Sequence, residues 1–240
     1  MLTSLIRALK IPAPIRFIDI WSFDQDSAGF FPPMHAIALL YPCEAVDPIR
    51  RERYRNKLLS GDGVPGLVFS RQRMQEVGNA CGSIAVVTAL CNSPALLPAD
   101  SPFARFRQAT AGKSAEATAD ALANAECVFF LFVRRRERSS RRRSSWLEAS
   151  TAESAQEGQT AALGADDEVA HHFVTFVAHQ GRLLELDGCL AGPVDHGPCA
   201  PGDLLAGTAK VIQDMMAMPA EATLNFSAVG LVSSEDDGGG

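Results

Sequence analysis

Two stretches near the start of the chain read as strands. "RFIDIWSF" (16–23) and "MHAIALLYP" (34–42) alternate or run apolar, and the breaker cluster "DQDSAGFFPP" separates them. "DPIRRERYRNKLLS" (47–60) is highly charged and predicts a solvated helix, with the loop "GDGVPG" after it. "CGSIAVVTALC" (81–91) is apolar on every side, the pattern of a helix central to the core. The Ala-rich span 99–126 reads as short helices joined by loops. The clearest signal is "HHFVTFVAHQGRLLELDG" (171–188), two alternating runs flanking Gln180-Gly181 as in a hairpin with a two-residue turn. "GDLLAGTAKVIQDMMAM" (202–218) places Leu204, Leu205, Thr208, Val211, Ile212 and Met215 on one helical face, with Asp203 positioned as N-cap. "LNFSAVGLVSS" (224–234) is a last strand. Mixed helices and strands with an antiparallel component give an α+β fold.

With 240 residues, 47% of them hydrophobic, the chain can bury a substantial core. A net charge of −6 weighs against a nucleic-acid partner and allows a basic protein partner. No apolar run approaches the ~20 residues needed to span a bilayer, so no membrane partner is expected. The opening "MLTSLIRALKIPAPIR" lacks the cleavage site of a secretory signal, and "IPAP" breaks an amphipathic presequence helix. The expectation is a soluble monomer of the cytoplasm, with the nucleus open as a second location. Six cysteines (Cys43, Cys81, Cys91, Cys127, Cys189, Cys199) are scattered without a C-x-x-C pair. That spacing supports neither a disulfide framework nor a zinc site, and most should be buried small hydrophobes. No metal or cofactor is expected.

Residues 127–146, "CVFFLFVRRRERSSRRRSSW", stand apart. Seven arginines against one glutamate give this segment +6 and leave the rest of the chain at −12. It reads either as a disordered basic surface loop or as an artefact of the gene model. Nucleic-acid binding by this patch is disfavoured, because no aromatic residues interleave the arginines. The tail 235–240, "EDDGGG" in its last six positions with Glu235 leading, is expected to be disordered.

Chemistry enters at "QEVGNACGS" (75–83), where Cys81 sits between a small polar turn and the apolar helix. It is either a core filler or a nucleophile. If Gln180 and Gly181 form the turn, Asp187 lies opposite Val174, and His172 shares that face because side chains alternate with period two. His172 and Asp187 are then diagonal neighbours, a geometry that by itself also fits a structural hydrogen bond. Combined with a cysteine at a helix start, it is the arrangement of thiol catalysis. The aspartate orients the imidazole, the imidazole takes the thiol proton, and the thiolate attacks a carbonyl. The positive end of the helix dipole favours the thiolate. Gln75 offers an uncharged NH2 donor that, with the Cys81 backbone N–H, could hold an oxyanion. His196, in "VDHG", is placed in a loop near the hairpin's end, where a structural hydrogen bond suffices.

These residues resemble the ubiquitin C-terminal hydrolases, papain-like thiol deubiquitinases. The family's Q-x5-C-G segment corresponds to Gln75 through Gly82, and its later H-F and L-x-E-L-D-G to His172-Phe173 and "LLELDG". Gln75 and Cys81 are six residues apart, His172 and Asp187 fifteen. "RFIDIWSFD", "SAQEGQT" and "LNFSAVGLVSS" extend the likeness to roughly 14–98 and 150–234. The resemblance implies a single compact domain over 1–234, with a central antiparallel sheet flanked by helices and a crossover loop spanning the active site. It implies Cys81 as nucleophile, His172 as base, Asp187 as its orienter and Gln75 in the oxyanion hole. Asp19 matches an acidic position that pairs with ubiquitin's basic tail; a solvated strand-end carboxylate is the alternative. The implied activity is hydrolysis after the C-terminal glycine of ubiquitin or a ubiquitin-like modifier, with small or disordered leaving groups. The alternative is a ubiquitin-binding protein whose triad is misaligned. Two departures bear on this. The family's leading ubiquitin-contacting segment is missing, which implies weaker affinity or a start further upstream. The 91 residues from Cys81 to His172 exceed the family's span by about the size of the basic segment.

Overall fold

The computed structural model describes residues 15–60, 64–71, 81–123, 125, 171–200, 202–219 and 225–233. Gln75, Cys127, the basic segment 127–146, the expected crossover loop and the tail lie outside the described residues.

Six strands form one antiparallel sheet: β1 (Ile15–Ile20), β2 (Ala36–Pro42), β3 (His171–His179), β4 (Arg182–Leu186), β5 (Val194–Pro198) and β6 (Ser227–Ser233). Their order is β1-β6-β2-β3-β4-β5. Five α-helices accompany them among the described residues: α1 (Cys43–Tyr54), α2 (Cys81–Cys91), α3 (Pro102–Thr110), α4 (Ala115–Ala123) and α5 (Leu204–Met216). The result is α+β, as the sequence pattern predicts. No helix among the described residues is long and apolar enough to cross a membrane.

The period-two alternation of the strands divides the apolar side chains between two cores. On one face Phe17, Ala38, Val177, Leu184 and Leu231 pack with Val86, Leu90, Phe103, Phe106 and Leu122 of α2, α3 and α4. On the other, Ile37, Leu39, Val174, Phe176 and Leu183 pack with Val46 and Tyr54 of α1 and Ile212 and Met215 of α5. Ser101 caps α3 by accepting from the Ala104 N–H at 3.1 Å, with Pro102 in the first turn. The six residues assigned to the inner face of α5 are all buried.

The hairpin has the expected register, with His179 opposite Arg182 and Thr175 opposite Leu186. Both turn residues take positive φ, 49° at Gln180 and 73° at Gly181, so the turn twists in the same sense as its strands.

Four expectations change. The helix placed at 47–60 runs from Cys43 to Tyr54 with Pro48 inside it and ends in a 3-10 turn at Arg55–Lys57. It is not simply solvated, because Val46, Arg50 and Tyr54 are buried. His196 lies on β5, not in a loop: β4 is hydrogen-bonded on both edges, and the Gly/Pro-rich "VDHGP" hides its strand character. Asp203 occupies the N-cap position of α5, but its side chain makes no capping bond. Of the five described thiols, Cys91 and Cys199 are buried while Cys43, Cys81 and Cys189 are half-exposed; all five are free of disulfides.

Candidate active site

Cys81 is the first residue of α2, the helix that runs through one core. Its approach to β3 depends on Gly82, where a Cβ would stand 3.3 Å from the Phe173 ring. One turn on, the Thr175 hydroxyl donates to the Ala85 carbonyl at 3.2 Å, fastening α2 to the same strand. A small pocket lined by Phe69, Ser70, Ile84, Phe173 and Gly188 lies beside Cys81.

The hairpin supplies the partners. His172, the second residue of β3, is almost fully buried, and its Nε2 lies 2.7 Å from Asp187 Oδ1. The same oxygen accepts the Cys189 backbone N–H at 2.9 Å, and Asp187 has no exposed surface. The Cys81 and Cys189 side chains both stand close enough to His172 to favour its cation, and the Tyr41 ring meets the imidazole edge-on at 5.9 Å. The structure therefore brings Cys81, His172 and Asp187 into one chain of contacts. Asp19 is not part of it. It is exposed on the edge strand β1, in line with Val229, Ala38 and Thr175. That is three strand spacings from β3, roughly 14 Å.

Electrostatics favour separated charge between the thiol and the imidazole. Burial pushes the Cys81 thiol up, but hydrogen bonding to His172 and to the Phe173 backbone amide outweighs it and holds the thiol below its ordinary value. Burial disfavours the His172 cation, yet hydrogen bonds to Asp187, Cys189 and Cys81 prevail, and its pKa is pushed up to about 12. Burial likewise opposes the Asp187 charge, and His172 and Arg50 overcome it, holding the carboxyl well below the usual range. These directions agree on a thiolate–imidazolium pair backed by a carboxylate, an arrangement able to attack a carbonyl and return a proton to a leaving amine.

Residues 1–217 match the protein family described as "Ubiquitin carboxyl-terminal hydrolase, family 1". The chain belongs to this family. It is 30% identical over 234 residues to ubiquitin carboxyl-terminal hydrolase isozyme L1 of Macaca fascicularis, covering 96% of this chain and 93% of that protein. It is 29% identical over 226 residues to a ubiquitin carboxyl-terminal hydrolase of Aplysia californica, covering 92% of each. Among solved structures, the Trichinella spiralis UCH37 catalytic domain bound to ubiquitin vinyl methyl ester superposes with a TM-score of 0.64 at 21% identity. That match covers 97% of this chain and 91% of the other, and it establishes the fold.

In this ubiquitin C-terminal hydrolase the hairpin also carries residues that the sequence reading passes over. Glu185 on β4 and Asp187 just past its end are two apart, so both turn to one face, and both are fully buried. Between them lies Arg50 of α1, whose Nη2 donates to Asp187 Oδ2 at 2.8 Å and also to Glu185 Oε1. Glu185 Oε2 is bonded to His196 Nε2 at 2.8 Å, the structural hydrogen bond expected of that histidine. A signal for this cluster was present in "LLELDG": two carboxylates on a buried face require a cation. Its identity was not readable, because Arg50 comes from a segment more than a hundred residues away.

Proposed function

We propose that the chain is a thiol-dependent deubiquitinase that hydrolyses the bond after the C-terminal glycine of ubiquitin or a ubiquitin-like modifier. Small or disordered leaving groups are its substrates. The observation that carries this reading is the contact chain from Cys81 through His172 to Asp187, with 2.7 Å between imidazole and carboxylate.

In this mechanism the Cys81 thiolate adds to the glycine carbonyl, forming a C–S bond and moving the carbonyl electrons onto oxygen. The Cys81 backbone N–H and the Gln75 side chain receive that oxyanion. Collapse breaks the C–N bond, and His172 gives its proton to the departing amine, leaving a thioester. Neutral His172 then removes a proton from water as it attacks the thioester. Ubiquitin leaves as a carboxylic acid that gives its remaining proton to solvent, and the thiolate–imidazolium pair is restored. Asp187 keeps Nε2 protonated throughout and the other ring nitrogen directed at sulfur. Asp19, exposed on β1, meets the basic C-terminal tail.

The test is labelling by ubiquitin bearing a thiol-reactive electrophile at its C-terminus, comparing the parent with Cys81→Ala and His172→Ala. Rapid labelling abolished by both substitutions supports the reading. A folded parent that binds ubiquitin but never labels is a binding protein, and the proposal is then wrong.

A further inference from the structure

Arg50 has no exposed side-chain surface, so it cannot touch a substrate. All its contacts are internal. Its Nη2 reaches both buried carboxylates, Glu185 and Asp187. Its Nη1 donates to the Tyr41 hydroxyl at 2.9 Å and to Asp47 Oδ1 at 3.2 Å, and Tyr41 donates in turn to Asp47 at 2.7 Å. The guanidinium carbon lies 5.2 Å from the Tyr41 ring and 5.5 Å from that of Tyr54. Four elements therefore converge on one side chain: α1 with Asp47 and Tyr54, β2 with Tyr41, the β4 end with Glu185 and Asp187, and β5 through His196.

We infer that Arg50 is a positioning residue for the thiol chemistry, holding Asp187 by Oδ2 so that Oδ1 stays in line with His172 Nε2. The inference rests on the proposed function. Without Arg50, the partners left to orient the carboxylate among the described residues are the Cys189 N–H and the imidazole itself, both at Oδ1. The β4 strand ends at Leu186, so the sheet ladder does not hold Asp187 in place. Stability alone is a poor reason for such a group. A buried ion-pair cluster is often no better than apolar packing of the same volume, and Arg50 Nε is buried without a partner among the described residues. A planar fork that can bridge several acceptors suits orientation.

Arg50→Met alone would leave two buried carboxylates unbalanced and could unfold the chain. The deciding variant is Arg50→Met with Glu185→Gln, which removes one charge of each sign and keeps the local net charge of the cluster. Thermal melting checks that it folds. Steady-state cleavage of a ubiquitin C-terminal amide should then show kcat lowered about 10- to 100-fold, by analogy with removal of the partners that orient metal-binding histidines. KM should stay within about twofold, since Arg50 is remote from substrate. Arg50→Lys, which keeps the charge but not the fork, should fall between parent and double variant. Proton NMR of the His172 Nε2–H gives a readout that needs no turnover: its low-field resonance should move upfield or broaden in the double variant. A folded double variant with parental kcat and an unmoved resonance overturns the inference. A parent that fails to cleave ubiquitin, while the resonance still depends on Arg50, fails the functional reading and leaves the positioning role standing.

Discussion

Gly82 offers a sharp test of how closely the thiol's helix must approach β3. A Cβ built there meets two carbons of the Phe173 ring at 3.3 Å. The optimum between carbons is ~3.5–4.0 Å, so Gly82→Ala forces a separation of roughly 0.2–0.7 Å. Overpacking of this kind costs about 1–3 kcal/mol, and alanine's helix preference over glycine returns up to about 1 kcal/mol. Stability should therefore fall by up to about 2 kcal/mol. Activity is the more telling readout. Either the α2 start moves, carrying Cys81, or Phe173 moves, and Phe173 adjoins His172 and lends its backbone amide to the thiolate. A misplacement of about 1 Å can cost about 100-fold, so a displacement of this size corresponds to roughly 3- to 25-fold in kcat. Calorimetry and steady-state hydrolysis of a ubiquitin C-terminal amide measure both effects. If kcat stays within about twofold while the melting temperature rises by about 2–4 °C, as propensity alone would give, the close approach has no bearing on the site.

Four further outcomes are expected. Alkylation of Cys81 by iodoacetamide should lose rate only as pH falls through a thiol value below the ordinary one, because protonation removes the thiolate. His172, raised to about 12, keeps its proton through neutrality, so a rate change centred near the ordinary imidazole value of about 6.5 would contradict the ion pair. In the same scan, the stability that Asp187 contributes is present above its ordinary carboxylate value and is lost as pH falls through its lowered one, which acid-melting curves should show. Gln180→Gly should raise stability by about 0.5–1 kcal/mol by relieving the positive φ, and a lower melting temperature would argue against that strain. Asp19→Ala should leave the fold intact and raise KM for ubiquitin by up to about fivefold, the worth of one exposed ion pair, with less effect at high salt; an unchanged KM leaves Asp19 a solvated carboxylate.

Local patterning was enough for the pairing of His172 with Asp187. Period-two alternation and a two-residue turn are properties of eighteen adjacent residues, so register and shared face follow without knowledge of the rest of the chain. The buried character of α2 and the inner face of α5 were legible for the same reason, since composition within a few turns decides them. Arg50 was not legible. It stands among Arg51, Arg53 and Arg55 in a run that reads as a solvated face, yet its side chain is fully buried while Arg51 is 56% exposed. What separates them is the docking of α1 against the sheet, which turns one arginine toward Glu185 and Asp187 and leaves its neighbours in water. β5 was hidden likewise: "VDHGP" has little strand character alone and becomes a strand because the free edge of β4 needs hydrogen-bond partners. Contacts between distant segments are set by which faces bury together, and that is a property of the assembled layers rather than of any stretch of the chain.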